Sequence, residues 1–247
     1  MEEWVLSSGQ YRQLMLGLQL TLQVLGLSFL LGVVLSLIFG VLRLAPQRWI
    51  RGAALVYVEF ARGISSIILL FIMAIAVPIL LDIRVSSAAL VYLASLALGL
   101  NMGGYGAEIV RGAILAVPKG QTEASIALNL SPGQRLRNVT LPQAMRLILP
   151  PFGNLTIEIL KGTALVSLIG MSDIMQQTRN LIQQQLAAGV AGVTVLFLNV
   201  LIIYFVAAQA INGLFRFLEW RLERRYRART GELPRLPSDA NLAGAGN

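Results

Sequence analysis

The chain has 247 residues, of which 56% are apolar and only 13% charged, and it contains no cysteine and no histidine. A soluble domain carries about 25% charged residues, so this composition, with a mean hydropathy of +0.70, describes a bilayer protein. The missing residue types exclude disulfides, thiolate nucleophiles, Cys/His zinc sites, histidine general bases and haem ligation by those residues. No close Asp/Glu cluster offers a carboxylate metal site. The net charge of +8 does not point to nucleic acid, because the arginines sit in short loops and at the C-terminus without an aromatic-interleaved basic patch.

The chain opens Met1-Glu2-Glu3, with no basic stretch, and its first apolar run outlasts a signal-peptide core. That predicts a retained span, preceded by a short periplasmic segment over residues 1–13. Five spans are predicted, over residues 14–39, 54–81, 86–110, 152–169 and 190–215. Such lengths suit roughly 30 Å of hydrocarbon at about 1.5 Å per helical residue. Pro46, Pro78, Pro118, Pro142, Pro150 and Pro151 fall near the ends, where interrupting a helix costs least. Small residues in the third and fifth spans, Gly99, Gly103, Gly104, Gly189 and Gly192, suit close helix packing, and Gly103-Gly104 equally suits a flexible joint.

The loops set the orientation. Arg43, Arg48 and Arg51, then Arg111, Lys119, Arg135, Arg137 and Arg146, then the tail from Arg216, lie on one side, against Arg12, Arg84 and Arg179 on the other. Positive charge is retained in the cytoplasm, so the N-terminus faces out and the C-terminus in. The stretch RFLEWRLERRYRART reads as a helical extension of the last span. It anchors the topology and touches anionic lipid. Residues 226–247 form a cytoplasmic tail, partly disordered where Pro, Gly, Ala and Asn dominate.

A polar cytoplasmic loop at residues 119–142 interrupts the oily sequence. Residues 122–130 predict a short helix with Glu123 in its first turn, where the dipole favours an anion. Ser131, Pro132 and Gln134 then restart a helix through a Ser-x-x-Gln capping box with proline at its first position. Arg135 and Arg137 follow, and Pro142 marks the next turn. The product is a rigid elbow whose small residues, Ala124, Ser125 and Ala127, admit a partner surface.

This segment, EASIALNLSPGQRLRNVTLP, resembles the Glu-Ala-Ala loop of ABC-importer permeases. Glu123 and Ala124 match, Ser125 replaces the second Ala, Asn129 stands at the Gly position, Val139 replaces Ile, and Leu141 and Pro142 match. Asn, like Gly, adopts left-handed backbone angles. YVEFARG, LNMGGYGAEIVRGAI, AVPKGQTEA, LPQAMRLILPPFGN and ILKGTALVSLIG extend the resemblance to the polar amino-acid (histidine, glutamine, arginine) branch. One departure is Ser65-Ser66, where that branch often has Thr-Pro.

The resemblance implies an all-α integral inner-membrane protein, with a MetI-like permease domain over residues 14–225 and a cytoplasmic coupling helix. Its implied partners are a cytoplasmic ATPase dimer, a second permease copy or paralogue, and a periplasmic or lipid-anchored solute-binding protein. ATP and Mg would be bound by the ATPase; no cofactor or metal is implied in this chain, and no nucleotide-binding Gly-x-x-x-x-Gly-Lys motif occurs in it. The chain is then no enzyme but a transport subunit working by alternating access on a polar amino acid or a similar zwitterion, an ectoine-type solute among them.

Inside the spans, Glu59 with Arg62, Glu108 with Arg111 and Glu158 with Lys161 repeat a Glu-x-x-(Arg/Lys)-Gly pattern. Members three apart share a helix face and can pair. The first two pairs lie nearer the interface, where pairing simply joins helices. Glu158 and Lys161 lie deeper, beside Gly162 and Thr163, and with Asn101 form a candidate solute path, because intramembrane charges face protein or water. The charges alone leave two further readings: an ion-coupled secondary transporter using them as a proton relay, and an intramembrane enzyme, which lacks His, Cys and any paired Asp.

Overall fold

A computed structural model describes residues 6–187 and 192–230, and within them every regular element is helical. Helix α1 spans Ser8–Leu42, α2 Arg48–Gly63, α3 Ser66–Leu80 and α4 Ser87–Leu115. The short α5, Lys119–Ala127, precedes the long α6, Pro132–Ile169, followed by α7, Ile174–Ala187, and α8, Val193–Thr230. α1, α4, α6 and α8 are each long and apolar enough to cross a bilayer.

The second predicted span is the exception. α2 and α3 qualify only together, as a pair bent by 101°. Broken helices are tolerated at membrane depth only where their freed backbone groups find partners, and α4 supplies them. Asn101 donates to the Ala61 carbonyl at 2.8 Å and accepts from the Ser66 hydroxyl at 3.1 Å, so one amide spans the break. Tyr105 donates to the Arg62 carbonyl at 3.2 Å, and Tyr57 of α2 donates back to the Leu100 carbonyl at 3.0 Å.

The core of the fold is α1 lying along α4. On α1 most of the buried stripe is small, with Gly17 and Thr21 four residues apart and Ser28, Gly32, Ser36 and Gly40 at successive four-residue steps. Small residues let backbones approach closely, the main source of helix association when lipid removes the hydrophobic drive. A Cβ at Gly40 would meet the Val110 side chain at 2.7 Å, and one at Gly32 the Met102 sulfur at 2.6 Å. Gly103 and Gly104 are packing residues, not a joint. A Cβ on Gly103 would meet Leu35 of α1 at 2.7 Å, and one on Gly104 would meet Ala61 of α2 at 2.7 Å. α4 thereby receives two helices at one level.

Two spans differ from their predicted bounds because proline does not always stop a helix. The fourth begins at Pro132 rather than near 152, passes through Pro142, and carries Pro150 and Pro151 in its interior. Proline lacks an N–H and clashes with the carbonyl four residues back. Here the preceding turn widens: the Leu141 N–H donates to the Leu136 carbonyl, five residues back, just before Pro142. Val77 does the same to Ile72 just before Pro78. Pro142 therefore marks no turn. The last helix runs to Thr230, so the tail is helical for residues 226–230, while 231–247, with Gly189, lie outside the described residues.

Helix α7 was not foreseen. Its start lies on α1, where a Cβ at Gly17 would fall 2.7 Å from the Ile174 Cα and 2.9 Å from the Asp173 carbonyl carbon. Backbone cannot yield as a side-chain tip can. Gly17→Val should therefore destabilise the protein by ~1–3 kcal/mol, as overpacking does, whereas Gly26→Val, with nothing within 4 Å of its Cβ, should be neutral. Thermal unfolding of both variants in one detergent checks this.

Candidate functional site

The loop helix α5 begins at Lys119, three residues earlier than predicted, so Glu123 sits in its second turn. The helix ends at Ala127, three residues before the predicted 130. Asn129 has φ of 59°, the left-handed conformation for which Gly or Asn is suited. The Leu130 N–H reaches back to the Ser125 carbonyl at 3.1 Å and closes the helix. The capping box forms: Ser131 accepts from the Gln134 N–H at 3.4 Å, and the Gln134 side chain accepts from the Ser131 N–H at 2.9 Å. Pro132 occupies the first turn. Arg135 points partly inward with a buried Nε, whereas Arg137 is exposed.

The elbow has an inner and an outer face. Ser125 is buried and its hydroxyl donates to the Thr122 carbonyl at 2.6 Å, so it packs against its own chain rather than offering room to a partner. Gln143 of α6 donates to Gln121 at 3.2 Å and ties α5 to the membrane helix. Glu123, Ala124 and Ala127 are exposed, with Ile126 and Leu128 at 54% and 75%. Leu141 is half-buried and Pro142 exposed. A short rigid helix thus projects apolar and acidic surface away from the bundle.

The charge pairs divide differently from their common pattern. Glu108 binds Arg111 at 2.9 Å, and Arg43, at the end of α1, reaches Glu108 at 3.1 Å and Glu59 at 3.9 Å. Glu59 and Arg62 stand 3.8 Å apart, a surface contact. Exposed pairs contribute about 0–1 kcal/mol. Arg43 was read from sequence only as a loop charge, yet it joins the ends of α1, α2 and α4. Its guanidinium finds two carboxylates that belong to different helices, which spacing along one helix cannot reveal.

Glu158 and Lys161 make no ion pair within 4 Å with each other or with any other described residue. Both are exposed, and Asn154 is exposed four residues before Glu158. Residues at i, i+4 and i+7 share a helix face, so an open polar face runs along the membrane part of α6. Thr163 points the other way: it is fully buried and donates to the Leu160 carbonyl at 2.6 Å. Gly162 marks the change from α to the tighter 3₁₀ turn over Thr163–Ile169. Asn101 is buried at the α2–α3 break, where its amide bonds the Ala61 carbonyl and the Ser66 hydroxyl.

One buried carboxylate escaped the sequence reading. Asp173 accepts from the Met175 and Gln176 backbone N–H groups at 3.2 and 3.0 Å, capping α7. The Asp-x-x-Gln spacing before an amphipathic run carried that signal. Burial pushes the Asp173 carboxyl up from 3.8 to about 6, against the two backbone hydrogen bonds and the Arg179 charge, which pull it down.

An all-helical chain with four long apolar helices, one broken span and a projecting polar elbow defines a polytopic membrane subunit of a transport system. The model of the binding-protein-dependent transport system inner membrane component family matches residues 18–224. The chain belongs to that family, a multi-pass inner-membrane component of ABC transporters. It is 39% identical over 222 residues to a probable amino-acid ABC transporter permease protein, y4tF, of Sinorhizobium fredii, covering 85% of this chain and 89% of that one. It is 32% identical to the glutamine transport system permease GlnP of Escherichia coli, over 84% and 91%. It is 31% identical to the L-cystine permease TcyB of Bacillus subtilis, over 84% and 86%. Among solved structures, an amino-acid ABC transporter crystallised with histidines superposes with a TM-score of 0.74 at 28% identity, covering 85% of this chain and 94% of that one. The MetNI methionine transporter, at 24% identity and a TM-score of 0.70 over 88% and 99%, shares the fold.

Asp173 gives a prediction with a definite sign. A carboxyl whose folded pKa lies above its unfolded value adds stability that is complete below about pH 3.8. That stability is lost as pH rises through about 6. Asp173→Asn keeps a cap oxygen and removes the titration. The variant should match the native chain near pH 4 and exceed it at pH 7, as read from unfolding temperatures.

Proposed function

We propose that the chain is the permease subunit of an ATP-driven importer for a polar amino acid or a similar small zwitterion. The observation that carries it is the exposed Asn154–Glu158–Lys161 face inside an apolar helix. Charges in hydrocarbon cost several kcal/mol, so this face belongs against water or against a second permease copy or paralogue. Unpaired among the described residues, Glu158 and Lys161 remain available to a solute's ammonium and carboxylate. The names of the relatives support the amino-acid class.

In this reading the N-terminus faces out, the C-terminus faces in, and a binding protein delivers solute from outside. The exposed side of α5, with Glu123, Ala124, Ile126 and Leu128, seats in a cleft of a separate ATPase dimer, which binds ATP and Mg. Closure of that dimer moves α5, and the Gln121–Gln143 contact and the restart at Ser131 pass the motion to α6. Arg43 with Glu59 and Glu108 holds the ends of α1, α2 and α4 together during the stroke. Ion-coupled secondary transport is not favoured, since a projecting elbow has no part in it.

Two variants test the reading separately. Glu123→Arg should abolish copurification of the ATPase from native membranes without altering expression, and copurification at the native level would refute docking through α5. Glu158→Gln should lower solute uptake at least about tenfold, the scale of one charge-assisted contact, while retaining the ATPase. Unaltered uptake would remove Glu158 from the solute path.

A further inference from the structure

A cavity of about 650 Å³ lies apart from the polar face of α6, where the membrane-exit ends of α4, α6 and α8 meet. Its walls mix apolar side chains, Leu149 and Pro150 among them, with the charged Arg146, Arg216 and Glu219. Trp220, another lining residue, is 52% exposed, and is of the type that forms aromatic belts at membrane surfaces.

No ion pair joins Arg216, Glu219 or Arg146 to a described residue. The Arg146 guanidinium lies 4.0 Å from the ring centre of Tyr226, an attraction that leaves its charge uncompensated. Arg216 precedes Glu219 by three residues on one helix, a rise of about 4.5 Å. The cation is therefore nearer the bilayer and the carboxylate one step farther out, with Glu223 beyond it. In addition, Pro150 and Pro151 offer no N–H to the carbonyls of Arg146 and Leu147, four residues back.

We propose that this cavity holds the headgroup of an aminophospholipid. Its phosphate sits against Arg216, and its primary ammonium donates to Glu219 and to the carbonyls bared by the proline pair. The two-carbon bridge of an ethanolamine headgroup matches the Arg-to-Glu step. Glu219 disfavours a purely anionic headgroup, and a trimethylated ammonium has no N–H to donate. Because Pro118 and Gln143 also line the cavity, and Gln143 holds Gln121, the bound lipid braces the root of α5. The proposal does not depend on which solute is carried.

Native mass spectrometry of the full-length chain in mild detergent tests it, with phosphatidylethanolamine, phosphatidylcholine and phosphatidylglycerol of matched acyl chains as probes. One phosphatidylethanolamine should be retained per chain, about tenfold over the other two, the scale of one hydrogen bond to a charged group. Glu219→Gln should bring phosphatidylethanolamine to parity with phosphatidylcholine, and Arg216→Gln should lower retention of all three. Unchanged unfolding temperatures in lipid-free detergent keep both variants interpretable, and Glu219→Asp should restore part of the preference. Equal retention of phosphatidylethanolamine and phosphatidylcholine by the native chain, or a preference that survives Glu219→Gln, overturns the proposal. So does displacement of the lipid by free phosphoethanolamine or glutamine, which would assign the cavity to a soluble zwitterion.

Discussion

Close contact between the backbones of α1 and α4 is the constraint on which the rest of the structure depends. Lipid tails are as apolar as leucine, so burying leucine against leucine drives little in a bilayer. What remains is dispersion between tightly apposed surfaces, individually ~0.1–0.2 kcal/mol per atom pair and large only in number. The α1 stripe of Gly, Ser and Thr creates that apposition. Its hydroxyls carry no unmet demand into the interface where they bond their own helix, as Thr21 does to the Gly17 carbonyl at 3.0 Å and Ser36 to the Gly32 carbonyl at 2.6 Å. Small polar residues thus behave as small apolar ones while keeping the helices close.

Everything functional hangs from α4 once that contact is made. Its glycine pair admits α2 on the level where α1 already lies, and its Asn101 and Tyr105 then satisfy the carbonyls freed at the break. A sharp bend needs such a neighbour, because an unsatisfied backbone group in hydrocarbon costs several kcal/mol. The same helix carries Glu108 to Arg43 at its other end. It then leads through Pro118 into α5. A displacement of the elbow is therefore felt at the end of the most tightly packed helix, as well as at the start of α6.

Local chemistry was the most legible part of the sequence. The Ser131–Gln134 capping box and the left-handed Asn129 follow from residue types a few positions apart, and both are present. The span count was legible because apolar length is additive along the chain. What escaped depends on neighbours distant in sequence. Ser125 looks like open surface until α6 covers it. Pro142 reads as a stop until a widened turn absorbs it. Asn101 resembles a lone polar group until the carbonyl of Ala61, forty residues earlier, supplies its partner. The α1 stripe was present in the letters, but its four-residue spacing is masked by the leucines and valines between its members.

The open face of α6 and the compensated interior elsewhere belong to one design. Polar groups at the bend and the cap of α7 find partners within the chain, and Glu108, near the end of α4, finds two arginines. Against that background, Glu158 and Lys161 stand out because no described residue pairs with either. An i,i+3 pair could close on itself, at a gain of only ~0.2–0.5 kcal/mol, too little to hold two long side chains in one geometry. Leaving them apart costs little in water and much in lipid. The single chain is therefore incomplete as a membrane object: its folding satisfies the packing helices and exports the remaining charge to a surface that a second subunit or a wet path must cover. On the proposed function, that surface is where a zwitterion finds both of its counter-charges not yet committed to each other.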